Sequence, residues 1–72
     1  MRKQRKILGR FNRLLARVER IGNRVYVYDR YNRRLGWVAK NGTFDNLGRK
    51  LSADRDTRIL VEMARNRSMI LP

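Results

Sequence analysis

The sequence predicts a mainly β domain, a meander of repeated hairpins closed by a C-terminal helix, and three observations carry that prediction. The first is an internal repeat: Tyr28-Asp29-Arg30-Tyr31-Asn32-Arg33-Arg34-Leu35-Gly36-Trp37 aligns with Phe44-Asp45-Asn46-Leu47-Gly48-Arg49-Lys50-Leu51-Ser52-Ala53. Both copies run aromatic, Asp, polar, bulky, turn residue, two basic residues, Leu, small. The second is Arg24-Val25-Tyr26-Val27-Tyr28-Asp29, which alternates β-branched and aromatic residues as a pleated strand requires. The third is the break in pattern after Ser52, where a polar segment leads into an amphipathic stretch.

In chain order, Met1-Arg2-Lys3-Gln4-Arg5-Lys6 reads as a basic N-terminal arm over residues 1–6. Such an arm can follow a phosphate backbone or enter a groove, or simply solubilise the chain. Residues 7–53 read as the hairpin-repeat domain, and their first part supports two readings. As a helix over 7–21, Ile7, Phe11, Leu14, Val18 and Ile21 follow a 3.6-residue period and Gly22 stands at the C-cap, which gives an α+β fold with an amphipathic N-terminal helix. As a hairpin, Leu8-Gly9-Arg10-Phe11-Asn12-Arg13 is a third copy of the repeat, with Asn12/Asn32, Leu15/Leu35 and Val18/Val38 matching.

Beyond that point Arg24–Asp29 and Leu35–Ala39 are expected to pair around Asn32, and Thr43–Asp45 with Arg49–Leu51 around Gly48. Asn32 and Gly48 are residue types that tolerate positive φ, and Asn41-Gly42 between the copies is a hairpin turn signal. Gly36 inside a strand marks a close approach of backbone or of a neighbouring ring. Asp29 and Asp45, at equivalent repeat positions, are expected to hydrogen-bond their own turns. Residues 54–72 are read as part of the same domain, a short helix from Arg58 to Asn66 with Ile59, Leu60 and Met63 toward the sheet. An apolar end, Ser68–Pro72, then follows that could dock in a groove.

Composition narrows the function. Nineteen Lys and Arg against six Asp and Glu give a formal charge of +13, while 42% hydrophobic residues still suffice for a core. A folded domain with that charge gains most from a polyanion. Fifteen of the nineteen cations are arginine, whose planar fork suits phosphate and guanine and stacks on bases. Cysteine and histidine are both absent, so thiolate zinc sites, disulfides and imidazole chemistry are excluded. No cofactor motif or catalytic constellation is present, so no enzyme is expected. A cysteine-free chain with neither signal peptide nor apolar span fits a cytoplasmic location with no membrane partner.

Asn32-Arg33-Arg34-Leu35-Gly36-Trp37-Val38-Ala39-Lys40-Asn41-Gly42-Thr43-Phe44-Asp45-Asn46-Leu47-Gly48-Arg49 resembles the hairpin repeat of the four-fold beta flower domains, a turn glycine, two polar residues, Leu-Gly-Trp, an Asn-Gly-type turn, then Asp-x-x-Gly. Asn12-Arg13-Leu14-Leu15-Ala16-Arg17-Val18 resembles that family's earlier unit. The resemblance covers about residues 8–53 and departs in having Asn12 and Asn32 for glycine and Arg17 for an aromatic. It implies a compact, self-associating fold of repeated hairpins and no activity.

The resulting expectation is a small basic nucleic-acid-binding protein, for DNA or RNA, that self-associates. Phosphates would be held by Arg10, Arg13, Arg30, Arg33, Arg34 and Arg49 beside the turns, supported by Arg2, Lys3, Arg5 and Lys6 of the arm. Base contacts would come from Tyr31 or Trp37, with Tyr26 and Tyr28 as further stacking candidates. The alternative is a non-enzymatic interaction module, or a small phage-type inhibitor, docking on an acidic partner protein. A continuous rim of turn arginines suits the polyanion, and an isolated patch suits the protein.

Overall fold

The computed structural model describes residues 2–70, and for Arg2, Arg10 and residues 67–70 it describes the backbone alone. Six antiparallel strands form one sheet in strictly sequential order: β1 (Arg2–Leu8), β2 (Leu14–Ile21), β3 (Arg24–Asp29), β4 (Arg34–Ala39), β5 (Gly42–Asp45) and β6 (Lys50–Ser52). A single 3-10 turn, Arg10–Asn12, joins β1 to β2, and the helix α1 (Thr57–Ile70) follows β6. The mainly β meander with a C-terminal helix is therefore what the chain forms.

Residues 7–21 are hairpin, not helix. The helical period of Ile7, Phe11, Leu14, Val18 and Ile21 loses because a strand partner on each side satisfies β2: Ile7 pairs with Ala16, and Val18 faces Arg5 on one side and Val27 on the other. Gly22, a C-cap on the helical reading, instead opens the two-residue loop between Ile21 and Arg24 at φ 60. The segment expected as a basic arm is likewise the edge strand β1, paired residue by residue with β2 from Arg2 to Leu8. The backbone groups on its inner side are committed to that ladder, so Arg2, Lys3, Arg5 and Lys6 are held in register and do not form a free arm.

The three repeat hairpins share one closing hydrogen bond, although the first turn differs within it, with Phe11 as well as Asn12 at positive φ. The N–H of Asp29 donates to Arg33 O at 2.9 Å, that of Asp45 to Arg49 O at 2.9 Å, and that of Gly9 to Arg13 O at 2.8 Å. The turn residue has positive φ in each copy: 58° at Asn12, 65° at Asn32 and 86° at Gly48. Each strand leaving the turn carries a register shift that leaves one leucine unpaired, at Leu15, Leu35 and Leu51. Such a bulge turns an extra side chain to one face. Here it puts Leu15 and Leu35 into the interior, while Leu51, out beyond the helix, stays exposed. Between β4 and β5 the loop is Lys40-Asn41, one residue earlier than expected, because Ala39 already pairs with Gly42.

The helix covers one face of the sheet. Leu60 and Ala64 pack with Ala16, Val27, Leu35 and Val38, and Ile7, Val18, Val25 and Met63 border them. Asp56 caps the helix: its Oδ1 accepts the N–H of Arg58 at 3.0 Å, and the Arg58 guanidinium and then this N–H hold the carboxyl below its ordinary range. The helix runs four residues past the expected Asn66. The expected apolar end falls partly outside the description, since Leu71 and Pro72 lie beyond the described residues. Thr43, fully buried, ties the sheet to this segment: its Oγ1 donates to Asp54 O at 2.7 Å and accepts the N–H of Asp56 at 3.0 Å. Among the described residues no helix is long and apolar enough to cross a membrane.

The repeat makes one position testable. Asp29 and Asp45 each accept two N–H groups of their own turns, and Gly9 stands where the third carboxylate would be. A Cβ at Gly9 would meet Leu15 Cβ at 3.6 Å and Arg13 O at 3.8 Å, ordinary contact distances. Gly9→Asp is expected to stabilise the domain by about 1 kcal/mol, through reduced unfolded-state freedom and the new turn bonds. In thermal unfolding that is a rise of roughly 4–8 °C. An unchanged or lower midpoint would mean that the first turn cannot take up the geometry of its two counterparts.

Candidate nucleic-acid interface

A sequential meander sends alternate turns to opposite ends of the sheet, so the β1–β2, β3–β4 and β5–β6 turns share one end. With strands about 4.8 Å apart, successive turns at that rim stand about 10 Å apart. Three repeat columns therefore become three rows of side chains. Arg13, Arg33 and Arg49 form one row, all exposed. Phe11, Tyr31 and Leu47 form another and are 87%, 45% and 77% exposed. Arg30 and Asn46 form the last, and Arg10 holds the equivalent sequence position in the first copy.

The turn carboxylates organise the rim, and of its repeat arginines only Arg49 is paired with one among the described contacts. Asp29 Oδ1 accepts the N–H groups of Tyr31 and Arg33, both at 2.9 Å, and Asp45 Oδ1 those of Leu47 and Arg49, also at 2.9 Å. The N–H of Arg49 is the foremost reason that the Asp45 carboxyl titrates below its ordinary value. Arg49 Nε also pairs with Asp45 Oδ2 at 2.8 Å. At the β3–β4 turn the Arg30 guanidinium lies 4.9 Å from the Tyr31 ring centroid and donates to its hydroxyl at 2.7 Å, while Arg33 lies 5.8 Å from the same centroid. Between this turn and the next is an open groove of about 440 Å³, lined among others by Arg33, Arg34, Asn46, Leu47 and Arg49. Arg34 Nε donates to Asn46 Oδ1 at 2.7 Å, which fixes the guanidinium at the groove wall.

Behind the rim lies the sheet face opposite the helix. Direct cross-strand partners share a face, so the register Gln4, Glu19, Tyr26, Trp37, Phe44, Lys50 runs straight across all six strands. The row Lys6, Arg17, Tyr28, Arg34 lies beside it. Trp37 stacks on Phe44 with centroids 5.8 Å apart and tilts against Tyr26 at 6.4 Å. Arginines cover these rings: Arg17 at 4.1 Å over Tyr28, Arg24 at 5.9 Å over Trp37, and Arg34 at 5.7 Å from both Tyr26 and Trp37. Among the described residues Glu19 is the only carboxylate on this face. It accepts from Arg17 Nη1 at 2.9 Å and Gln4 Nε2 at 3.0 Å, and Arg17 also donates to Asn32 Oδ1 at the rim.

Compared with protein-family models, curated proteins and solved structures, this chain matches none. Its surface is thus interpreted from its own geometry. The expected contact residues are brought together only in part. Arg10, Arg13, Arg30, Tyr31, Arg33, Arg34 and Arg49 all lie at the one rim. Trp37 does not; it sits mid-strand in the aromatic row, with Phe44 against its ring. Of the β1 residues, Lys6 falls opposite Arg17 on the open face, Lys3 and Arg5 fall opposite Arg20 and Val18 on the helix side, and Arg2 pairs with Ile21 at the far end. The sequence reading missed Arg17, Arg24 and Lys50 on the open face and Phe11 and Leu47 at the rim. The bulky column of the repeat already contained Phe11 and Leu47, had the first copy been accepted.

Proposed function

We propose that the protein binds nucleic acid, holding phosphates with the rim arginines and with the cationic open face behind them. The observation that carries this reading is the threefold recurrence of an exposed arginine, Arg13, Arg33 and Arg49, at one end of the sheet. The rim they form is continuous across three turns, with Arg34 and Arg30 filling the interval, and a continuous cationic rim fits an extended polyanion better than a single acidic patch on a protein. The open face extends it, with Lys6, Arg17, Arg24, Arg34 and Lys50 against one carboxylate. Face-to-face packing of two copies would set those cations against an identical set, a repulsion that a polyanion relieves.

The test is the salt dependence of binding to random-sequence duplex DNA, single-stranded DNA and RNA, followed by fluorescence anisotropy. If five cations displace counterions, log K falls with log salt at a slope of about −4.5 on duplex and about −3.5 on a single strand. A flat response, or no binding at the lowest salt, would rule the proposal out and direct attention to an acidic protein partner.

A further inference from the structure

Phe11, Tyr31 and Leu47 lie outside the hydrophobic core. Phe11 is 87% and Leu47 77% exposed, and each stands at the tip of a turn held from within by other groups. Phe11 also sits at φ 58, a conformation that L side chains adopt at a cost and that glycine or asparagine would fill more easily. A bulky residue held there, exposed, is poorly explained by folding alone.

We infer that the ligand is single-stranded nucleic acid and that Phe11, Tyr31 and Leu47 are its base-contacting tips, one per hairpin; this rests on the nucleic-acid reading above and specifies the strand it takes. Each tip is followed two residues on by an exposed arginine, Arg13, Arg33 or Arg49, so a base resting on the tip has its phosphates near a guanidinium. At Tyr31 both flanking guanidinia already lie within 6 Å of the ring centroid. The bases of a duplex are stacked on one another, and reaching them requires unstacking. A single strand presents its bases free, and apolar tips gain from them without regard to sequence.

The spacing agrees. Tips about 10 Å apart across the strands follow a flexible chain running along the rim. The right-handed sheet twist of about 20–25° per strand rotates successive tips by roughly 40–50°, so the three fan outward. That suits a polymer that can curve with them and is unfavourable for one flat lipid surface.

The experiment uses the full chain with Phe11→Gly, Tyr31→Ser and Leu47→Ser, singly and combined. Labelled single-stranded RNA, single-stranded DNA and duplex DNA, each of about 15 nucleotides, serve as probes. Phe11→Gly keeps the turn's φ without strain, and a thermal melt of each variant verifies the fold. The expected result is tighter binding to single strands than to duplex by the wild type. Phe11→Gly and Tyr31→Ser should each bind single strands about fivefold to a hundredfold more weakly, and Leu47→Ser should bind less weakly than these. The salt slope should stay unchanged, because no phosphate contact is removed. Folded variants that bind like the wild type, or a wild type that prefers duplex, would overturn the inference while leaving nucleic-acid binding intact. A wild type that binds no nucleic acid would overturn both. Association with anionic phosphatidylserine vesicles lost in the same variants, with no nucleic-acid binding, would overturn both in favour of a lipid surface.

Discussion

Gly36→Ala is expected to lower the stability of the domain by about 3 kcal/mol, at the upper end of overpacking costs, and Gly36→Val to leave it unfolded. A Cβ at position 36 would overlap Phe44 O and stand 2.9 Å from Leu60 Cδ2 and 3.0 Å from Asp45 Cα. Leu60, fully buried, has nowhere to rotate, and the other two atoms are backbone of β5. Relief therefore requires β5 or α1 to move away from β4, which opens the small core of Ala16, Val27, Leu35, Val38, Leu60 and Ala64. At roughly 0.05–0.15 kcal/mol per residue, a chain of 72 residues has only about 4–11 kcal/mol in total to lose. Urea unfolding followed by circular dichroism measures the loss. A Gly36→Ala midpoint equal to the wild type would mean that β4 and α1 do not pack as closely as described.

That tight contact was legible in the sequence as a glycine inside a strand, although the neighbour is Leu60 and the β5 backbone and not an aromatic ring. The β3–β6 repeat was legible for the same kind of reason: Asp29, Asn32, Asp45 and Gly48 have local roles, and their turns close by bonds within five residues. Residues 7–21 were not decidable, because the alternation of β2 counts only once β1 and β3 lie beside it, whereas a helical period can be seen within one segment. Gly9 in place of the aspartate removed the turn's most recognisable residue. The open face was hidden more deeply. Arg17, Tyr26, Trp37 and Phe44 come from three hairpins, and which of them meet depends on the bulges at Leu15 and Leu35, which shift the register by one residue after each turn. Trp37, expected within the strand Leu35–Ala39 as a base contact, lies in that strand but with Phe44 stacked against its ring, and the β1 cations moved from an arm to an edge.

Whether the rim or the bulk charge governs binding is decided by the second large effect, that of neutralising the repeat arginines together. Each phosphate contact contributes about 0.7–0.9 to the salt slope, which over the decade from 1 M to 0.1 M is a factor of roughly five to eight in affinity. Arg13→Gln, Arg33→Gln and Arg49→Gln combined should therefore weaken single-strand binding at ~100 mM salt by a hundredfold or more and make the slope shallower by about 2 to 3. The control removes the same charge elsewhere. Arg20, Lys40 and Arg55 are exposed, with Lys40 in the β4–β5 loop at the opposite end of the sheet, and their triple change to Gln leaves the same formal charge, 13 − 3 = +10. If steering by net charge were enough, the two triples would bind alike. If the rim holds the strand, the control should stay within about fivefold of the wild type, less than one phosphate contact. Glutamine is shorter but polar and places no new carboxylate next to Asp45; Arg49→Gln gives up the exposed Arg49–Asp45 ion pair while the backbone bonds of the turn remain, and a thermal melt of the triple verifies the fold. A folded rim triple that binds like its control would show that these three arginines, despite their regular placement, are not where the phosphates lie.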